Sequence, residues 1–376
     1  MRRMLAAVLA AGMLAAACSG DSGDEDAAPD PAESSESASA SAPSESADAQ
    51  GDGADVTTST VVVDDGPKAP FTGLSADEAL LTQPAVVVKI SNNNDDSVAA
   101  LVGIDAADIV IEERIEDRAT RFAAIFHSAV PDTVGPVRSA RTTDLDLLRN
   151  LGKPILVFSG ANVSTLRELR ELALAEEAVL VVDDGSGTYH VRDTDFRAPD
   201  NLFSDISLVR DDFAGDADAA AGIFAFRDAA SDTRPASVDG SGVTVTGRDD
   251  VSFVHDPARG YVRVQDGEIH ATRDGVALVV TNLVVMETQY VTNANDPSSV
   301  DAITIGSGPA SVLIGGRRFL GTWSRADAAA PYALATTDGA VIVLEPGSTW
   351  VTLVPEGTYE FGVDAETQGL VLGGDE

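Results

Sequence analysis

The sequence predicts an α+β protein: an N-terminal mixed α/β domain followed by a mainly antiparallel β domain, both behind a disordered tether. Three observations predict it. Residues 19–66 are polar and acidic and contain no aromatic side chain. Between residues 67 and 230, continuous apolar runs alternate with amphipathic and capped segments, the pattern of strands mixed with helices. From residue 231 onward, short β-rich runs stand between Gly, Asp and Pro turns, and helix signals nearly vanish.

The chain opens MRRMLAAVLAAGMLAAACSG. Arg2 and Arg3 form a positive start, and an apolar run follows over residues 4–17. That run is too short to span a bilayer, which needs about 20 residues. It ends in small residues and then Cys18, the only cysteine of the chain. The pattern is that of a lipoprotein leader over residues 1–18, with Cys18 the lipidated first residue after processing; the alternative is an ordinary secretory signal. The expected location is the outer face of the cell membrane, lipid-anchored. No intramolecular disulfide is possible, so the fold rests on its core.

Residues 19–66 carry 13 Asp or Glu and no Lys or Arg. Such a segment cannot bury enough apolar surface to offset its chain entropy, and is expected to be a disordered tether spanning roughly 40 Å. The whole chain has 61 acids against 25 bases, a net charge of −36. The part from residue 67 onward keeps −25 of it once the tether and leader are set aside. A chain this acidic lacks the basic footprint that nucleic-acid binding requires.

Within the first half (67–230), AVVVKIS over 85–91 is a buried strand. ADIVIEERI (107–115) and TRFAAIFHS (120–128) form two paired strands across a short charged turn. In VGPVRSARTTDLDLL, Thr143 and Asp146 form a near capping box, so a helix is expected over 144–151 with Gly152 just past its end. PILVFSG (154–160) is another buried strand. In NVSTLRELRELALAEEA (162–178), Leu166, Leu169 and Ala173 fall on one face of an amphipathic helix. In the second half (231–376), VSFVHD, YVRVQ, ALVVTNLVVMETQYV, AVIVL and TWVTLVP are strand runs.

Two constellations stand out as ligand sites. Arg138 and Arg141 precede a helix start, where unpaired N–H groups and guanidinium forks can hold phosphate or carboxylate. The alternative is ion pairing with Glu112, Glu113 or Asp144. In SFVHDPARGYVRVQDGEIH, the Asp266-Gly267 hairpin sets Arg263 opposite His270, and the preceding loop sets His255 opposite Tyr261. Alternation then collects Phe253, His255, Tyr261, Arg263 and His270 on one sheet face. That face is either a platform for an anionic ligand or a seam packed on the first domain.

Other chemistry is weakly signalled. No His pair has metal-ligand spacing, and NNNDD (92–96) is a polar loop rather than a calcium loop. IGSGPAS (305–311) lacks the helix that a phosphate-binding loop needs and is expected to be a hairpin turn. Ser159 has no assignable base, His190 being nearest in sequence. Glu112 and Glu113 point to opposite faces of their strand and cannot act together. Trp323 and Trp350 are expected in the core. No cofactor is implied.

The blocks PFTGL, PAVVVKISN, ADIVIEERIEDRATRFAAIF, VGPVRSARTTDLDLL, FSGAN, RAPDNLF, YVRVQDGEIH, GTWSR and PGSTWVTLVP resemble, in order, those of the YerB-like bacterial lipoproteins. The family usually has Asp at Ser91, a basic Arg-Pro segment at 97–102, and His at Asp200. The resemblance implies a secreted or lipid-anchored two-part protein with no established activity. The function expected from residues and resemblance together is binding of an envelope component without catalysis, either an anionic wall fragment or a protein partner. A wall-acting hydrolase or transferase with a site at the domain junction is the alternative.

Overall fold

The computed structural model describes residues 66–228 and 234–373. The leader, Cys18 and nearly all of the tether lie outside the described residues. Five strands and two helices of the first half, and seven strands of the second, follow the apolar runs. They are β1 (Val86–Asn92), β2 (Ile109–Arg114), β3 (Thr120–Phe126), β4 (Ile155–Phe158) and β5 (Val179–Val182), then β6 (Gly242–Thr246) and β7 (Asp250–Asp256). The helices are α1 (Thr143–Leu148) and α2 (Val163–Leu174). Next come β8 (Gly260–Gln265), β9 (Asn282–Glu287), β10 (Gly306–Ile314), β11 (Arg317–Arg325) and β12 (Thr349–Val354).

One 11-stranded sheet organises the molecule. Along its main path the order is Ala333–Thr336, β11, β10, β9, β12, β2, β3, β1, β4, β5. Strands of the C-terminal half therefore continue the sheet begun by the N-terminal half. The junction is a parallel pairing of β12 with β2, with Ile109 opposite Thr349 and Ile111 opposite Val351. The pairings β9–β12, β12–β2, β1–β4 and β4–β5 are parallel, and β3 is antiparallel to both β2 and β1. With β11, which is antiparallel to β10 as β10 is to β9, seven strands thus run the same way, and six of them, β9, β12, β2, β1, β4 and β5, end on one common edge of the sheet. The second, six-stranded sheet is antiparallel, built on β6, β7 and β8.

Two apolar layers enclose the large sheet, as strand alternation demands. Val87, Ile109, Ile111, Ala123 and Ile125 pack under Leu147, Leu148, Leu169 and Leu172 of α1 and α2. Val86, Val88, Val110, Phe122 and Ala124 pack against Val243, Val251 and Phe253 of the small sheet and Ile206 and Val209 of a further helix. The α+β class is as expected, few helices on mostly strands.

Several local expectations need correction. The helix over 144–151 is shorter, and its capping box does not form. Thr143 Oγ1 instead accepts from the Ala302 N–H, and Asp144 turns back to accept from the Arg141 N–H at 2.7 Å. Gly152 does take the positive φ, +89°, that ends such a turn. IGSGPAS is not a hairpin turn. Residues 306–314 are all strand, and the turn falls at Gly315-Gly316, both at positive φ. The second half's run 277–291 breaks into two short strands, Val279–Val280 and Tyr290–Thr292, with β9 between.

Candidate functional site: an arginine rim at the carboxyl edge of the sheet

The parallel strands β1 and β4 pair only through Val88 and Val157. Beyond that point they part, and residues 136–140 fill the gap. On one side the Ser91 N–H donates to Pro136 O and the Arg138 N–H to Lys89 O. On the other, the Ser159 N–H donates to Arg138 O and the Ala140 N–H to Gly160 O. The Arg-Ser-Ala-Arg segment is thus an inserted strand-like spacer at the carboxyl ends of parallel strands, where open sheets of this kind form ligand crevices.

Three guanidinium groups gather there. Arg138 Nη1 donates to Asp200 at 2.9 Å, and Arg141 Nη2 to Glu116 at 2.7 Å. Both arginines keep part of their surface open, 16% and 15%. Arg121, from the start of β3, is the third. It is 2% exposed, and its one hydrogen bond among the described residues runs from Nη1 to Ser139 O at 3.0 Å. Its Nε has no partner, and no carboxylate lies within ion-pair distance. Burial, with Arg141 and Arg138 beside it, pulls its pKa down to about 9. Arg138 and Arg141 do pair with acids, but not with those expected from sequence. Lys89, fully buried, takes Glu113 at 2.6 Å and Asp144 at 2.7 Å instead. Burial pushes the Glu113 carboxyl up, against the Lys89 charge and with the help of Asp144. At Glu116, burial alone would raise the pKa, but the Arg141 bond and charge hold it below the usual range.

Asp200 is also held by Ser91 Oγ at 2.7 Å and Asn94 Nδ2 at 3.1 Å. Two of the positions at which the sequence departs from the YerB-like pattern, Ser91 and Asp200, therefore meet. NNNDD supplies this contact and caps a short helix, Asp95–Ala99. Arg121, Lys89 and Glu116 are not singled out by the sequence reading, and Asp200 enters it only as a departure from the family pattern. Arg121 was discoverable: in TRFAAIF it alternates with Ala123 and Ile125, so it faces the core side.

The second constellation is placed differently. The register is as read, with His255 opposite Tyr261 and Phe253 opposite Arg263, and Ile269 opposite Val264. The face, however, is the seam against the large sheet, not a ligand platform. Tyr261, Arg263 and His270 are 0%, 1% and 2% exposed. Arg263 Nη2 donates to Glu112 at 2.8 Å, and Nη1 to Gln265 and His270 Nδ1. Phe122, Phe253 and Trp350 surround its guanidinium at 5.2–5.9 Å. Glu112 is completed by Thr120 Oγ1 and Trp350 Nε1. Tyr261 Oη donates to Gly240 O and accepts from the Gly316 N–H. Tyr261, Arg263 and His270 are thus held in the core and present no surface to a ligand, although Arg263 Nε and His270 Nε2 have no partner among the described residues; His255 alone of the face is half-buried.

Both tryptophans are buried, Trp323 donating to Glu287 O. His190 pairs with Ser204 in a separate two-stranded sheet, and no hydrogen bond joins it to Ser159. Among the described residues, no group of three or more His, Cys, Asp or Glu could hold a metal ion.

Comparison with known proteins places this arrangement. Residues 71–219 match the N-terminal domain, and residues 243–351 the C-terminal domain, of a protein family of unknown function, DUF3048. The boundary read at 230/231 falls between the two matches. A Bacillus subtilis (strain 168) protein named "Putative lipoprotein YerB" is 28% identical over 300 residues, covering 77% of this chain and 86% of that protein. The crystal structure of the YerB protein from Bacillus subtilis has the same fold: TM-score 0.66 at 23% identity, over 79% of this chain and 100% of that one. The chain therefore belongs to the two-part, YerB-like DUF3048 family of proteins of unknown function.

Proposed function

We propose that this is a lipid-anchored extracytoplasmic protein that binds an anionic group of an envelope component at the arginine rim, without catalysis. One observation carries the reading: Arg121 is buried beside two other arginines with no carboxylate of its own. A guanidinium held this way costs the fold stability. Its N–H groups, with the partly exposed guanidinium groups of Arg138 and Arg141, suit a phosphate or carboxylate bound from solvent. The leader ending at Cys18, and the name of the Bacillus subtilis relative, support the anchor. The long acidic tether supports a site held off the membrane, within reach of wall polymer.

The test uses the mature chain from residue 18 with Cys18→Ser, incubated with purified wall sacculi carrying their phosphate-rich polymer. Retention should fall at least tenfold in Arg138→Ala/Arg141→Ala and weaken in high salt. Equal retention of the double variant would remove the rim from consideration.

A further inference from the structure

A second set of arginines lies farther along the same carboxyl edge. Arg114 ends β2, and Arg118 sits in the turn to β3. Neither has a carboxylate within ion-pair distance among the described residues, and Arg114 Nε is buried without a partner. The turn is strained: Asp117 and Arg118 both take left-handed φ, 58° and 62°. Such strain persists only where surroundings impose it, and it gathers at functional sites. Here the small sheet imposes it, because Arg118 O accepts from the Arg248 N–H at 3.0 Å between β6 and β7.

Between these arginines, β6, β7 and the end of β12 lies a slot of about 40 Å³. Its walls are largely apolar, from Val245, Val251, Leu353, Val354 and Pro355. A water needs about 10–15 Å³ measured in this way, so the slot has room for roughly three waters or a few carbon atoms, not a ring. Glu112 closes the floor, but Arg263, Thr120 and Trp350 already hold both of its oxygens. Asp249 also lines the slot, its carboxyl pushed up by burial and by Asp266. Through Arg114 and Pro355 the slot adjoins an open groove of about 740 Å³, lined by polar groups such as Gln289, Thr288 and Ser307.

We propose that the slot binds a short aliphatic carboxylate, with its carbon end between the valines and its carboxylate on Arg114 and Arg118. A phosphate alone has no apolar limb to fill the walls. A carboxylate bearing one to four carbons satisfies both parts of the site. The adjoining groove makes room for the rest of a larger molecule, so the carboxylate is supplied either by a free acid or by a peptide C-terminus ending in a small aliphatic residue.

The experiment titrates the mature Cys18→Ser chain with acetyl-alanyl-alanine, its C-terminal amide, and propionate, followed by ligand-observed NMR. At least one carboxylate should bind, and the amide at least tenfold more weakly than the acid peptide. Binding of the acid peptide assigns a peptide terminus; binding of propionate alone assigns a free acid. Arg118→Gln, at an exposed position, should weaken binding at least tenfold with an unchanged melting temperature, and Arg114→Gln should repeat the loss. Binding of the amide as tightly as the acid, absence of binding by both acids, or full binding in Arg118→Gln overturns the proposal. None of these variants touches Arg121, Arg138 or Arg141, so the outcome is separate from that of the wall-retention test.

Discussion

Arg121 separates a structural arginine from a functional one. A buried ion pair that loses one partner typically costs about 3–5 kcal/mol, because the other charge is left alone. Arg121 has no ion-pair partner to strand; its loss frees the Ser139 carbonyl, which Arg141 Nη1 also approaches at 3.4 Å, and removes the longer-range attraction to Glu113 and Glu116. Arg121→Met keeps the unbranched stem and removes a charge that burial and two neighbouring arginines disfavour more than Glu113 and Glu116 favour it. The melting temperature should therefore hold or rise, while retention on wall sacculi falls. A drop of several degrees would instead make Arg121 part of the Lys89–Glu113–Asp144 network and a prop of the fold.

At the scale of elements, the seam between the sheets rests on β2, whose consecutive glutamates serve opposite faces. Glu113 reaches Lys89 on the helix side, and Glu112 reaches Arg263 on the small-sheet side. Arg263→Met should destabilise the protein by about 3–5 kcal/mol in urea unfolding, since Glu112 would stay buried with only Thr120 and Trp350. Adding Glu112→Gln should recover most of that loss; an equal or larger loss in the double variant would show that packing of the guanidinium stem, not its charge, holds the seam. The strands themselves were legible in the sequence, because continuous runs such as AVVVKIS and period-two runs such as YVRVQ state their own type. So was the Asp266-Gly267 register that sets Arg263 opposite His270. What the seam faces was not legible: alternation gives the two sides of a strand but not which side meets another sheet. The same gap hid the rim. The partners of Arg138 and Arg141, Asp200 and Glu116, are set by long-range placement of the spacer between β1 and β4, and no local pattern encodes that. Nor does a period reveal that β12 joins β2 in parallel, since that pairing spans most of the folded chain.

For the molecule as a whole, pH acts first through histidine. All four histidines have pKa values lowered by burial. His270 is the extreme case: it lies far below the usual 6.5, from burial and then from Arg263. The geometry explains the direction, because Arg263 Nη1 donates to His270 Nδ1, which can accept only while that nitrogen is unprotonated. A histidine whose folded pKa is depressed contributes stability that is present above 6.5. That stability is lost as pH falls, because the unfolded chain takes up a proton the folded chain refuses. Each such group costs about 1.4 kcal/mol per pH unit below 6.5. Raised carboxyls act the other way. Glu113 and Asp108 bind protons more tightly folded than unfolded, so they add stability only as pH falls through their raised values toward 4.5 and 3.8. Relief of the −36 net charge belongs mainly to the ordinary carboxylate range, about 4. The melting temperature should therefore begin to fall between pH 6.5 and 5.5, as the unfolded chain takes up protons that the folded histidines refuse. His270→Gln, which retains an acceptor for Arg263, should flatten that limb by the slope of one group; an unchanged slope would mean that His270 takes up its proton as readily in the folded chain as in the unfolded one, so that burial and Arg263 do not hold it neutral.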